Sequence, residues 1–212
     1  MIKKIQLILS SILLLICIGA LVYSIHFRRD KNGKISDKNV NIIIQENKNI
    51  KNADVYYEFL KNFNCHGDEY YYSLIELDGY DYPILLLSNA VYKDNHERRV
   101  AMGTDIYYPV NNQITRFGSI GSDGTAYPIS ADKSGIFTAG GHEVAKYGLD
   151  VEKGKLKLIY EYIMVFYQVA EEVRAITLGI IGNENKIVSE KELDKANAKY
   201  GNANRIYFNR LC

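Results

Sequence analysis

The chain has 212 residues and a mass of 24.2 kDa, with 47% hydrophobic and 24% charged side chains, a globular composition that excludes a disordered tail. A net charge of +1 and a pI of about 7.6 leave no basic field for phosphates, which argues against a nucleic-acid partner, and no acidic field for a polycation. Eighteen Tyr beside no Trp, with abundant Ile, Asn and Lys, suggest an AT-rich bacterial coding sequence.

After Met1-Ile2-Lys3-Lys4, the residues from Ile5 to Ile25 carry no charge. At about 1.5 Å per residue such a helix just crosses a hydrocarbon core of about 30 Å. The expectation is a membrane anchor or signal segment over residues 1–26, with an uncleaved signal-anchor ahead of two alternatives. A cleaved signal peptide would place Ile18 or Val22 at −3, and a lipoprotein signal ending at Cys17 would place Ile16 where a small residue is needed. The short basic head Lys3-Lys4 favours a single-pass protein of the cell membrane with its domain extracytoplasmic; Arg28, Arg29, Lys31 and Lys34 favour the opposite orientation.

Residues 27–52 read as a polar tether with one short strand at Ile42-Ile43-Ile44, and residues 53–212 as a single α+β domain. Tyr56, Phe59, Leu60 and Phe63 fall at i, i+3, i+4 and i+7, the pattern of a short amphipathic helix. The period then changes. Tyr70 to Leu77, Tyr82 to Ser88, Ile106 to Tyr108, Gln113 to Phe117, Gly135 to Ala139 and Lys155 to Tyr167 read as strands, with Asn111-Asn112 and Lys153-Gly154 as hairpin turns. Ser189-Glu190-Lys191-Glu192 reads as a capping box opening a helix to about Tyr200, before a last strand from Arg205 to Phe208. The predicted fold class is α+β: an N-terminal transmembrane helix, then a mostly antiparallel β meander with a short helix at each end.

Several groups of residues carry candidate chemistry. Cys65 and His66 stand together after the first helix, but no Cys-x-x-Cys or His-x-x-x-His supplies a second pair of zinc ligands. Cys65 and Cys212 make an even pair, open to one disulfide in an oxidising space or to two free thiols. Gly140-Gly141-His142-Glu143 begins like a zinc-protease helix, yet Lys146 stands where the second histidine belongs. His142 and Glu143 stay as binding candidates, with Tyr107 and Tyr108 as part of an aromatic surface. Gly118 to Gly124 lacks the Gly-Lys-Ser/Thr of a phosphate loop and reads as a surface loop. Glu76, Asp78 and Asp81 about Gly79 are candidate calcium ligands, the one cofactor considered.

Tyr56 to Leu60, Ile75 to Leu87, Ile106 to Gly118 and Val188 to Gly201 together resemble, in outline, a loosely defined group of uncharacterised exported, membrane- or lipid-anchored proteins of low-GC Gram-positive bacteria. In that group an Asp-x-Asp-x-Asp-Gly-type loop is common; Glu76 and Asp78 match its first two acidic places, while Tyr80 and Ile84 depart from the third and from the distal glutamate. The resemblance implies this fold and an envelope location, with no activity attached. The expected function is a membrane-tethered extracytoplasmic binding or interaction domain without a catalytic role, touching the membrane through Ile5 to Ile25 and an unnamed envelope partner. The alternatives are an envelope enzyme using Cys65 and His66 or His142 and Glu143, and a cytoplasm-facing membrane protein.

Overall fold

Residues 37–169, 172–182 and 184–212 are described by a computed structural model. Helix α1 (Asp37–Glu46) is followed by a 3-10 turn (Ala53–Tyr56) and α2 (Tyr57–Asn62). A five-stranded sheet holds β1 (Tyr71–Ile75), β2 (Ile84–Ser88), β5 (Gly103–Val110), β6 (Gln113–Gly121) and β14 (Asn209–Arg210), in the order β14-β1-β2-β5-β6. A seven-stranded sheet holds β7 (Ser130–Asp132), β8 (Gly135–Ala139), β9 (Glu143–Asp150), β10 (Lys155–Val169), β11 (Glu172–Ile181), β12 (Glu184–Val188) and β13 (Asn204–Arg205), in the order β12-β11-β10-β9-β8-β7-β13. Helix α3 (Glu190–Asn202) separates β12 from β13, and β3 (Val91–Lys93) pairs with β4 (Arg99–Ala101) as a small ribbon. All of these pairings are antiparallel.

Strand alternation sorts the apolar side chains into layers. Tyr72, Leu74, Leu85 and Leu87 face Val40, Ile43, Tyr56 and Leu60, so α1, α2 and the 3-10 turn cover one side of the five-stranded sheet. Ile84, Leu86, Ile106 and Phe117 form the core between the two sheets with Ile136 and Leu149. On the far side of the seven-stranded sheet, Phe137, Ala139 and Val144 pack under Leu193 and Ala196 of α3. Beside Gly118 the β5–β6 ladder slips by one residue between Ile106 and Tyr107. Gly118 holds φ +143°, and a Cβ there would lie 2.9 Å from Leu156 Cδ1 of the facing sheet. Glycine at this bulge permits both the backbone geometry and the close approach.

Three expectations are corrected. The transmembrane helix read over Ile5 to Ile25 lies outside the described residues, and among the described residues no helix is long and apolar enough to cross a membrane. The fold class therefore loses its membrane helix and stands as an α+β fold of antiparallel sheets with short helices. The tethered extracytoplasmic domain, the cytoplasm-facing membrane protein, the membrane as partner and the single-pass location all rested on that helix and are withdrawn with it. The strand read at Ile42-Ile43-Ile44 is part of α1, with Val40 and Ile43 buried against the sheet three residues apart. The loop read over Gly118 to Gly124 is strand as far as Gly121.

Candidate functional site

Cys65 is buried at the end of the first helical segment and is joined by a disulfide to Cys212, across 147 residues of chain. A sulfur in a disulfide has no thiolate to offer, so the envelope enzyme built on Cys65 and His66 is withdrawn. His66 sits exposed at φ 49°, its backbone N–H donating to Asn64 Oδ1 at 2.9 Å.

Glu76, Asp78 and Asp81 are all exposed, and among the described residues no three His, Cys, Asp or Glu side chains are grouped to hold a metal ion. Tyrosines close this loop instead. The Tyr108 hydroxyl accepts from the N–H groups of Asp81 (3.2 Å) and Tyr82 (3.4 Å), and the Tyr80 hydroxyl accepts from the Leu149 N–H at 2.7 Å. Tyr107 and Tyr108 point to opposite faces of β5: Tyr108 packs between the sheets, while Tyr107 lies 5.0 Å from the Phe59 ring on the helical side. They do not form one aromatic surface.

Two charged clusters escaped the sequence reading. Lys146 is buried, and its ammonium donates to Asp132 at 2.8 and 2.7 Å and to Ser134 Oγ at 2.6 Å, 4.5 Å from the Phe137 ring centroid. A serine beside a lysine invites comparison with a nucleophile and its base. Here the ammonium faces a carboxylate, and the Ser134 hydroxyl donates to the same Asp132 Oδ1 at 3.0 Å. Burial alone would raise the Asp132 pKa, but the Lys146 ammonium and the Ser134 donors outweigh it and hold the carboxyl below its usual range. The trio therefore locks the β7–β8 turn as an ion pair. Burial and then the Asp132 charge push the nearby Tyr160 hydroxyl up to about 12; this oxygen is buried without a hydrogen-bond partner among the described residues. In the second cluster Asp94 accepts from the backbone N–H groups of His96 and Arg98 and pairs with the Arg98 and Arg205 guanidinium groups. The two backbone N–H groups and the Arg98 guanidinium overcome the effect of burial and hold its carboxyl at about 2.

His142 and Glu143 lead to the feature that the fold leaves unsatisfied. They stand at the base of the β10–β11 hairpin: the His142 carbonyl accepts from the Met164 N–H at 2.8 Å, its ring meets Phe166 edge-on at 4.8 Å, and Glu143 pairs with Ile163. No hydrogen bond joins the two side chains among the described residues, so the alternative enzyme centred on them is withdrawn as well. Beyond this point β9 ends, and β12 ends its pairing with β11 at Thr177 opposite Val188. Among the described residues the outer ribbon, Val165–Val169 with Glu172–Ile176, therefore pairs with no further strand on either side and extends about 16 Å past the sheet at about 3.3 Å per residue.

This ribbon is apolar. Register places Ile163 with Leu178, Val165 with Ile176 and Leu178 with Ile187 on one face, the face opposite to Tyr162 and Met164, which pack in the α3 cluster. None of Ile163, Val165, Tyr167, Ile176, Leu178 or Ile187 joins any of the three apolar clusters of the described residues. Exposure reaches 71% at Ile187, and on the other face of the tip 50% at Phe166 and 72% at Val173. Burial and the neighbouring Glu143 raise the Glu161 pKa where this stripe meets the sheet.

No protein-family model, curated protein or solved structure matches the chain.

Proposed function

We propose that the chain is a disulfide-stapled protein-interaction domain whose binding element is the outer β10–β11 ribbon with the adjoining face of β12. The observation that carries this reading is the row of apolar side chains on an open sheet face that no layer of the described fold covers. Apolar surface left in water costs about 25 cal/mol per Å², and contiguous patches of this kind on folded proteins mark contact surfaces. A ribbon whose edges pair with no further strand among the described residues is also a template for pairing, a hazard that coverage by a partner removes. The Cys65–Cys212 disulfide supports a working environment that oxidises thiols.

The test is site-specific photo-crosslinking in the host cell, with a benzophenone amino acid in place of Ile187 or Tyr167 and, as control, of the exposed Lys51. Discrete protein adducts are expected from the two ribbon positions and not from Lys51. Adducts from all three alike, or from none, contradict the reading.

A further inference from the structure

We infer that the ribbon face is the docking site for an amphipathic helix of another protein, one that carries lysine or arginine beside its apolar stripe. This rests on the ribbon being a binding element and adds what it binds. Register fixes the face. Val165 pairs with Ile176, and Ile163 pairs with Leu178, which in turn pairs with Ile187, so these side chains share one side. Glu143 pairs with Ile163, and Glu161 stands two positions before it opposite Ala145, so both carboxylates border the stripe at its base. At the tip Arg174 pairs with Tyr167 and Glu172 with Val169, which sets those two on the same side as well.

Charge selects the partner. Arg174 and Glu172 neutralise each other in a 3.0 Å ion pair, whereas neither Glu143 nor Glu161 makes an ion pair among the described residues. Three carboxylates against one guanidinium leave the face net acidic, with the excess at the base. Half-buried and crowded by Glu143, the Glu161 carboxylate gains from a cation brought against it. Such a face repels an anionic lipid surface or a nucleic acid, and a second copy would bring the same excess of carboxylates against it.

Size selects a helix. The stripe runs from the level of Glu161 to that of Tyr167, about 20 Å at about 3.3 Å per residue, and is three strands wide at its base and two at its tip, about 10–14 Å. One helix is about 10–12 Å across and covers that length with about thirteen residues, whereas a packed sheet would overhang the tip. Helices already cover the other outer faces: α3 packs on the reverse side of β9 and β10, and α1 and α2 on the five-stranded sheet. The partner's anchors then fall at i, i+3 or i+4, and i+7. A contact of this size stands at the low end of specific interfaces, with a dissociation constant on the order of 10 µM.

The test is fluorescence anisotropy of a labelled leucine–lysine peptide of about 14 residues, its leucines at helical spacing, titrated with the full chain. Saturable binding on the order of 10 µM is expected, and the counterpart peptide with glutamate for every lysine should bind about tenfold more weakly. The paired neutral changes Val165→Asn and Ile187→Asn should weaken the lysine peptide about tenfold by removing apolar contact alone. Glu143→Lys with Glu161→Lys should invert the preference, so that the glutamate peptide becomes the tighter ligand, a gain that misfolding cannot produce. Circular dichroism and an intact disulfide establish that each variant is folded. Peptides that bind alike, binding indifferent to the asparagine pair, or a preference that survives the charge reversal overturns the inference. A chain that sediments as a dimer and becomes monomeric with the asparagine pair assigns the face to a second copy and also overturns it. No peptide binding while position 187 still gives adducts overturns the helix and leaves the ribbon as a binding element; no binding and no adducts removes both.

Discussion

Asp94 and Asp132 couple the fold to acid pH through the same arithmetic. Both carboxyls are held below their ordinary value of 3.8, Asp94 at about 2. The stability each adds is fully present above about pH 4 and is lost as the pH falls through the folded value. Urea midpoints measured between pH 5 and pH 2 should therefore drop steadily, and Asp94→Asn should lower the midpoint at pH 5 and flatten the slope. Lys146 makes a separate demand, since truncating it leaves Asp132 without its counter-charge beside a vacated space. Lys146→Ala should cost on the order of 2 kcal/mol, less than a fully buried pair because Asp132 keeps partial access to water; a denaturant titration at pH 7 measures it. Neither cluster was legible in the sequence. Asp132 and Lys146 are 14 residues apart, and only the β7–β8–β9 ladder brings them together. Tyr107 and Tyr108 were misread for the opposite reason: adjacent in sequence, they are separated by the strand's own alternation.

Among the elements, those with a strong local signal were readable. Asn111 and Asn112 both adopt positive φ at the β5–β6 turn, as their type suggests, and Gly154 does so before β10. The capping box was readable only as a helix start, because Ser189 makes no side-chain cap and the Glu192 N–H donates to the Ser189 carbonyl instead. α1 was missed because three consecutive isoleucines favour a strand by propensity, while burial of Val40 and Ile43 three residues apart selects a helix. β9 went unread although Ala145, Tyr147 and Leu149 alternate with Lys146, Gly148 and Asp150, because Gly140 to Glu143 at its start read as a glycine turn. Two element-scale outcomes follow. Reducing Cys65–Cys212 frees a loop of 147 residues, for which chain entropy gives about 5 kcal/mol as an upper figure, so the denaturation midpoint with reductant should fall sharply. Gly118→Ala places a methyl against Leu156 at an unfavourable φ and should cost about 1–3 kcal/mol by thermal melting, with the disulfide intact.

At the scale of the molecule, the α+β class and the antiparallel habit were legible, because Gly, Asn and Asp punctuate the strand runs. The two-sheet division was not, since it depends on which hairpins stack on which. The same limit hid the ribbon: Ile163, Val165 and Tyr167 read as part of a strand from Lys155 to Tyr167, and nothing in that pattern says that the sheet stops supporting them halfway along. That no described layer covers them is a property of the assembly of strands, and it is the observation on which the proposed function turns. The most direct measurement is the yield of photo-adduct from position 187 with and without Val165→Lys, a change that puts a charge at the centre of the apolar face and touches no core cluster. Loss of the adduct, with the Cys65–Cys212 disulfide and the circular dichroism spectrum unchanged, is the expected result. An adduct of undiminished yield in the folded variant would contradict the apolar ribbon as the binding element.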